Sequence, residues 1–457
     1  MYDLLIKGGT VVSAEGTLKA DIAISKGEIS AVLYGPYEAE AREIIDANDK
    51  LVFPGVVDSH AHLNDPGFTW REDYEHGTAA AAKGGVTTIV DMPMQNEPAL
   101  TDKAIFKKKQ DAVSNNAYVD YCFWGGLVDN NFKTLQELDE CGVTAFKSFI
   151  GPVSPDYSSL SMGQVKEALE ILKEFDARAG FHCEDYSIIK WEEKRAQEDG
   201  RNGRRDFLTS RPVIAELMAT KNIIDLARLT QAKVHICHVS HPDVAEEIRK
   251  AKQDGIDITG ETCSHYLAFT EKNLLENGSI FKCAPPLRTY EDSQKMWDYI
   301  LDGTLSCVGS DHSPCTPEEK NEEEHGIFGA WGGISGIQSL MQVMYDQAVN
   351  QKGFSPSVIA GCLSEGPAKA FEIFGRKGAI APGFDADIVI LDPEQQWEIT
   401  EDSLEYLNKI SAFCGLKGKG LPVCTIVRGE IVFQDGTICG EKGYGKLICK
   451  NGKGERS

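Results

Sequence analysis

The sequence predicts an α/β fold, a parallel (β/α)8 barrel carrying a small β-sandwich formed from both chain termini. Three observations lead there. Eight apolar runs rich in β-branched residues recur through the middle of the chain, helix-period segments lie between many of them, and the two ends read as short strands divided by glycine turns. A chain of 457 residues is long enough to bury one large core and a smaller one.

The eight runs end near "VVDSHAH" (to 62), "VTTIVDMP" (to 93), "VDYCFWGGL" (to 127), "AFKSFI" (to 150), "AGFHCED" (to 185), "KVHICHVS" (to 240), "DITGETCSHY" (to 266) and "LSCVGSDHSPC" (to 315). Between them, "GQVKEALEILKEFD" and "HPDVAEEIRKAKQDG" have helical periodicity, the second closing on a glycine stop. A doubly wound open sheet shares this alternation, but the first strand is followed by no glycine-rich dinucleotide fingerprint. At the ends, "DLLIKGGTVVS", "ADIAISKGEISAVL", "DADIVILD" and "VCTIVRGEIVFQDG" are strand-like. Residues 1–50 and 385–457 are therefore expected to form the sandwich, and 51–384 the barrel. The charged stretch 191–206, "WEEKRAQEDGRNGRRD", reads as a solvated helix-loop insertion rather than a binding patch.

Bulk properties narrow the function. A formal charge of −23 repels phosphates, which disfavours nucleic acid and anionic membranes as partners. No apolar run is long enough to span a bilayer, and the first residues lack the pattern of a secretion signal, so a cytoplasmic location is expected. Thirteen scattered cysteines, an odd number without a CxxC pair, read as reduced thiols.

In a barrel of this kind the chemistry sits at the C-terminal ends of the strands. His60 and His62 end the first run, Lys147 lies in the fourth, His182 in the fifth, His238 in the sixth and Asp311 in the eighth. Four of the ten histidines thus fall at corresponding places. Alternation turns His60 and His62 to one side of a strand, as two ligands of one ion require. Imidazole and carboxylate together suit zinc and similar divalent ions. An ammonium cannot ligate a cation, but a neutral lysine amine can add carbon dioxide and become a carbamate, a carboxylate on a long arm. Four histidines, an aspartate and such a carbamate furnish a site for two metals.

Plainer readings exist for each residue. A lone strand-end histidine can be a satisfied polar side chain, and Lys147 could pair with Glu184 or Asp185. His235, His241, His265 and His312 lie near the same elements and are read as supporting or structural. His76 and His325 give no signal. "ETCSHYL" could orient ligands or simply pack.

The whole pattern resembles the amidohydrolase superfamily, and within it the cyclic amidohydrolases: dihydroorotases, dihydropyrimidinases or hydantoinases, and allantoinases. The likeness spans nearly the whole chain, including the ending "GFDADIVILDP". It implies that His60, His62 and Asp311 hold one divalent metal and His182 and His238 a second, with carbamylated Lys147 bridging. Zinc is foremost, with manganese, cobalt or iron also compatible. It further implies that a metal-bridging hydroxide opens a cyclic amide, with Asp311 as general acid and base, and that the enzyme is a homotetramer. Some relatives keep the barrel but lose the ligands and act as non-catalytic assembly proteins; here all six positions are filled.

Substrate class follows from smaller differences. Dihydroorotases resemble "DSHAHLNDPG" but place an arginine two residues after the second histidine to hold a carboxylate; here Asn64 stands there. An uncharged amide suits a small neutral cyclic amide. Dihydropyrimidinases and D-hydantoinases usually supply a tyrosine five residues after the lysine, where this chain has Pro152; Tyr157 is the nearest substitute, and L-type hydantoinases also lack that tyrosine. "SRPVIAE", "HICHVSHPD", "KCAPPLR", "SDHSPCTPEEK" and "AWGGISGIQS" look most like bacterial allantoinases. By the same likeness, backbone groups around Ala284 and Trp331 would hold the ring amide. Gln95, in "DMPMQNEPALT", departs from the asparagine common there. The expected reaction is allantoin to allantoate, with 5-substituted hydantoins as the alternative substrates.

Overall fold

The computed structural model describes residues 1–151 and 157–450. Eight strands form one sheet in sequential order: β1 (Val56–Ala61), β2 (Val86–Asp91), β3 (Asp120–Gly126), β4 (Ala145–Phe149), β5 (Arg178–His182), β6 (Lys233–Ile236), β7 (Ile258–Cys263) and β8 (Cys307–Gly309). Every neighbouring pair is parallel. The barrel closes just beyond β8, where the His62 amide donates to the His312 carbonyl at 2.8 Å. One turn deeper, Asp58 accepts from the Ser310 amide at 2.9 Å and from its hydroxyl. Gly309 permits this approach, since a Cβ there would stand 2.8 Å from Ser59 Oγ.

The surrounding helices start where the sequence supplies caps. Asp102 accepts from the Ile105 amide to open Lys103–Val113, and Ser161 with Gln164 forms a capping box at Met162–Glu174. His241 caps Pro242–Gln253 by accepting from the Asp243 amide, which gives that histidine a structural role. Inside the barrel, buried Trp124 lies against Phe371 (ring centroids 5.1 Å apart) and His235 (5.9 Å). Gly180 leaves room for it: a Cβ would meet the indole at 2.4 Å. The expected insertion 191–206 spans the end of helix Tyr186–Glu198 and the start of Arg204–Ser210, and most of it is exposed.

The termini build the sandwich. One sheet runs Glu28–Leu33, Asp21–Ser25, Tyr2–Lys7, Ala41–Asp46; the other contains Thr10–Val12 and Leu51–Pro54 beside Ile388–Glu398, Lys417–Val427 and Glu430–Gln434. Leu4, Ile6, Ile22, Ile24, Val52, Ile388, Ile390 and Ile426 fill the space between them. Leu51–Pro54 thus pairs within the sandwich, and the barrel begins at Val56. The last described residues, read from sequence as sandwich, return to the barrel: Ile448 donates to the Tyr121 carbonyl at 2.7 Å. A buried ionic knot joins the two parts. Lys377 Nζ lies 2.6 Å from Asp120, 2.7 Å from Asp387 and 3.0 Å from Asp385. Arg428 forks onto Asp120 from the sandwich side. Although burial opposes ionisation of Asp120, these two cations pull its carboxyl down to about 2. Among the described residues no helix is long and apolar enough to cross a membrane.

Candidate metal centre

The six side chains singled out in the sequence come from β1 and the residue that follows it, from β4 and β5, and from the turns after β6 and β8. His60 and His62 stand with ring centroids 5.4 Å apart. Their Nε2 atoms lie 3.3 and 3.5 Å from the same oxygen of Asp311. On the other side, His182 Nδ1 faces His238 Nε2 at 3.1 Å, and the His238 ring is 5.4 Å from that of His60. His238 and Asp311 both sit in left-handed backbone, φ +37° and +44°. For residues other than glycine this is strained, a feature that concentrates at functional sites.

The donors are held in ligand form. Burial pushes the imidazolium form of His60 down and that of His238 far down, helped at His238 by His182 and Lys147. This direction favours the neutral imidazole, the form that ligates a metal. Burial opposes charge on Asp311 too, yet His60 and His62 hold its carboxyl well below the usual range. Lys147 is 1% exposed, and its Nζ has no hydrogen-bond partner among the described residues; the Cys237 thiol is a polar neighbour. Glu184 does not neutralise it, being paired instead with His182 Nε2 at 2.8 Å and Arg211 at 2.7 Å. An unpaired buried ammonium among imidazoles is costly. A carbamate on the same arm would replace that misfit with an anion, and with it the residues present would fit a pair of divalent ions.

Partners around the ligands were largely invisible in the sequence. Glu261 of β7, fully buried, bonds His60 Nδ1 and the Ser59 hydroxyl and lies 3.6 Å from His235. It fixes the His60 tautomer that leaves Nε2 free for a metal. The sequence signal was the stretch "ETCSHYL", expected either to orient ligands or to pack, whose first residue is Glu261. Lys109, from the helix after β2, reaches Asp91 at 2.6 Å, Asn96 Oδ1 at 2.6 Å and the Asp65 carbonyl at 3.1 Å, tying the loops after β1 and β2 together.

Those loops contain the remaining polar candidates. β1 ends at Ala61, so simple alternation no longer governs Asn64, whose backbone turns left-handed at φ +55°. Its side chain is completely buried, and neither amide atom has a partner among the described residues. Gln95, at φ +58°, likewise has a buried and unpartnered Oε1. Ala284 is half-buried before Pro285, and Trp331 donates its indole N–H to the Ser313 carbonyl at 3.2 Å, two residues past Asp311. Tyr157 does not offer a free hydroxyl: fully buried, it donates to the Lys147 carbonyl at 2.6 Å and accepts from the Leu127 amide at 3.3 Å. Pro152 lies outside the described residues.

Among the other histidines, His265 brings a ring nitrogen within 4.8 Å of ligand atoms of Cys263 and Asp311, and four make contacts of their own. His235 Nδ1 meets Thr259 at 2.8 Å, His312 Nδ1 accepts from Gly336 at 3.2 Å, His76 pairs with Asp73 at 2.9 Å, and His325 meets the Glu318 carbonyl at 3.1 Å.

The chain is similar over nearly its whole length to several known proteins. An allantoinase of Escherichia coli (strain K12) is 38% identical over 440 residues, 95% of each chain. Among solved structures, the L-hydantoinase (dihydropyrimidinase) of Arthrobacter aurescens superposes with a TM-score of 0.96 at 30% identity, over 98% of this chain and 100% of its own. The dihydropyrimidinase of Brevibacillus agri NCHU1002 gives 0.90 at 28%, over 99% of both chains. Residues 51–432 match the amidohydrolase family, and the chain belongs to it.

Proposed function

We propose that the protein hydrolyses the ring amide of a neutral cyclic ureide, most specifically allantoin to allantoate. The observation behind the choice of ring is the 38% identity to an allantoinase along 95% of the chain, set beside a buried, uncharged Asn64 in the loop after β1. An amide with a free donor and a free acceptor matches a ureido or ring-amide group and offers nothing to neutralise a carboxylate. The structural likeness to an L-hydantoinase makes 5-substituted hydantoins the second reading. The sequestered hydroxyl of Tyr157 argues against its use as a substitute for the tyrosine expected of D-hydantoinases.

His60, His62 and Asp311 would hold one divalent ion, His182 and His238 the other, and carbamylated Lys147 both. When bound, such ions acidify a shared water and polarise a carbonyl oxygen. Asp311 would accept the proton released as water attacks the ring carbonyl, then deliver it to the departing ring nitrogen. The C–O bond would form first and the C–N bond then break, giving a nitrogen that bears the proton carried by Asp311 and a carboxylic acid that releases the second proton to solvent as it becomes the carboxylate. Glu261 would keep His60 oriented throughout, and Lys109 would hold the loops that present Asn64 and Gln95. Asp311→Asn is the direct test. Turnover should fall by about three orders of magnitude or more while the fold is kept; retention of more than a tenth of wild-type kcat would refute the role.

A further inference from the structure

Of the buried lysines outside the candidate metal centre, Lys320 and Lys282 each hold several backbone carbonyls. Lys320, in the loop after β8, is 8% exposed, and its Nζ donates into a ring of carbonyl oxygens: Gly333 at 2.6 Å, Ser279 at 2.9 Å, Trp331 at 3.0 Å and Lys282 at 3.3 Å. Lys282 is 6% exposed and donates to Phe328 at 2.9 Å and Ala330 at 2.5 Å. All six acceptors are backbone carbonyls. An ammonium has three N–H bonds and strong attraction for such oxygens, so it can organise a loop that has no regular structure.

The clasped backbone borders the candidate centre. Ile334 accepts from Ser313 at 3.1 Å, Gly333 donates to the Lys282 carbonyl at 2.9 Å, and Trp331 donates to the Glu319 carbonyl at 2.8 Å. Arg71 completes the frame, stacking 4.1 Å over the Trp331 ring while forking onto Glu319. Segments after β1, β7 and β8 therefore meet around Trp331; Arg71 brings in the first, and the two lysines bind the second to the third.

We infer that Lys320, assisted by Lys282, is a positioning residue for substrate: it fixes the backbone at 279–284 and 328–334 that forms the pocket wall beside Asp311. This inference rests on the hydrolytic reading above for its substrate, though not for the clasp itself. An apolar side chain could fill the same volume. It would leave these carbonyls without a donor, whereas the lysine Nζ draws carbonyls from two loops to one point.

The test compares Lys320→Met with the metal-loaded wild type on the cyclic amide that the wild type turns over best. KM should rise about tenfold or more while kcat stays within about threefold and metal content is unchanged. Backbone amides of 328–334 should exchange hydrogen about tenfold faster, with the barrel strands unaffected. A KM within twofold of wild type, or unchanged exchange at 328–334, overturns the inference, as does a loss confined to kcat. Should Lys320→Met fail to fold, Lys282→Met decides: a KM raised about threefold supports the clasp, and one within twofold overturns it. If the wild type turns over no cyclic amide, the hydrolytic reading fails, and the exchange measurement alone decides whether the clasp exists.

Discussion

His182 Nδ1 and His238 Nε2 face each other at 3.1 Å across the mouth of the barrel, and His182 Nε2 is engaged by Glu184. With a carboxylate on the far nitrogen, the proton of His182 belongs there, and its near nitrogen presents a lone pair to the neutral His238 ring. At this distance His238 Nε2–H can donate to that lone pair, and without that proton both nitrogens are free to ligate one cation. On the reading proposed above the pair would hold one metal, and Lys147, whose Nζ has no hydrogen-bond partner among the described residues, would link it to a second as a carbamate.

Lys147→Ala should abolish the metal bridge. Turnover is expected to fall by roughly a thousandfold or more, and a short carboxylic acid added in excess should restore part of it by standing in for the carbamate. Steady-state rates with and without added acid, beside metal analysis, check this. Activity within tenfold of wild type would remove Lys147 from the site.

Glu261→Gln preserves shape but removes the charge that orients His60. Since partners of this kind typically contribute about 10–100-fold to metal affinity, the variant should lose metal to a chelator at correspondingly lower concentration. Equal retention of metal in both proteins would show that the Glu261–His60 contact has no effect on binding.

Lys377 offers a test of the joint between barrel and sandwich. Replacing it with methionine leaves Asp120, Asp385 and Asp387 without their shared cation. Removing one partner of a buried ionic group costs about 3–5 kcal/mol, so the urea midpoint should fall clearly. An unchanged midpoint would mean that Arg428 alone suffices.

Stability should also depend on pH through Glu72. Burial pushes its carboxyl up to about 8, with its Oε1 accepting from the Leu407 amide at 3.0 Å and Oε2 3.6 Å from His312. The folded protein therefore retains a proton that the unfolded chain releases near its ordinary value of 4.5. The stabilisation is complete below that value and is lost as pH rises through about 8. Glu72→Gln carries no titrating proton, so its Tm relative to wild type should improve between about pH 5 and about pH 9, by roughly 2 °C or more. A difference that stays constant with pH would show that Glu72 is already ionised in the fold.

These residues also mark what the chain discloses before it folds. The barrel and the six candidate ligands were readable because each strand repeats one local pattern, with polar residues at its end; His60 and His62 needed only alternation. Contacts between distant strands were not. Glu261 meets His60 across 201 residues of sequence, and Asp58 meets Ser310 across 252, distances over which no spacing rule operates. Asn64 was recognisable as a substitution for arginine, but its left-handed backbone was hidden because β1 stops three residues earlier. Tyr157 illustrates the opposite limit: its position in the chain suggested chemistry, while packing gave its hydroxyl to the Lys147 carbonyl. The return of the C-terminal residues to β3 left no sign in a strand-like composition.

The most direct measurement is kcat/KM on allantoin, hydantoin, 5-alkyl and 5-aryl hydantoins, dihydrouracil and dihydroorotate, using protein loaded with two equivalents of zinc or manganese. Allantoin should exceed every other substrate by about tenfold or more, and dihydroorotate should be inert, because Asn64 cannot pair with its carboxylate. A 5-substituted hydantoin outpacing allantoin would transfer the enzyme to the hydantoinase reading, and no turnover of any of them at full metal content would contradict the account.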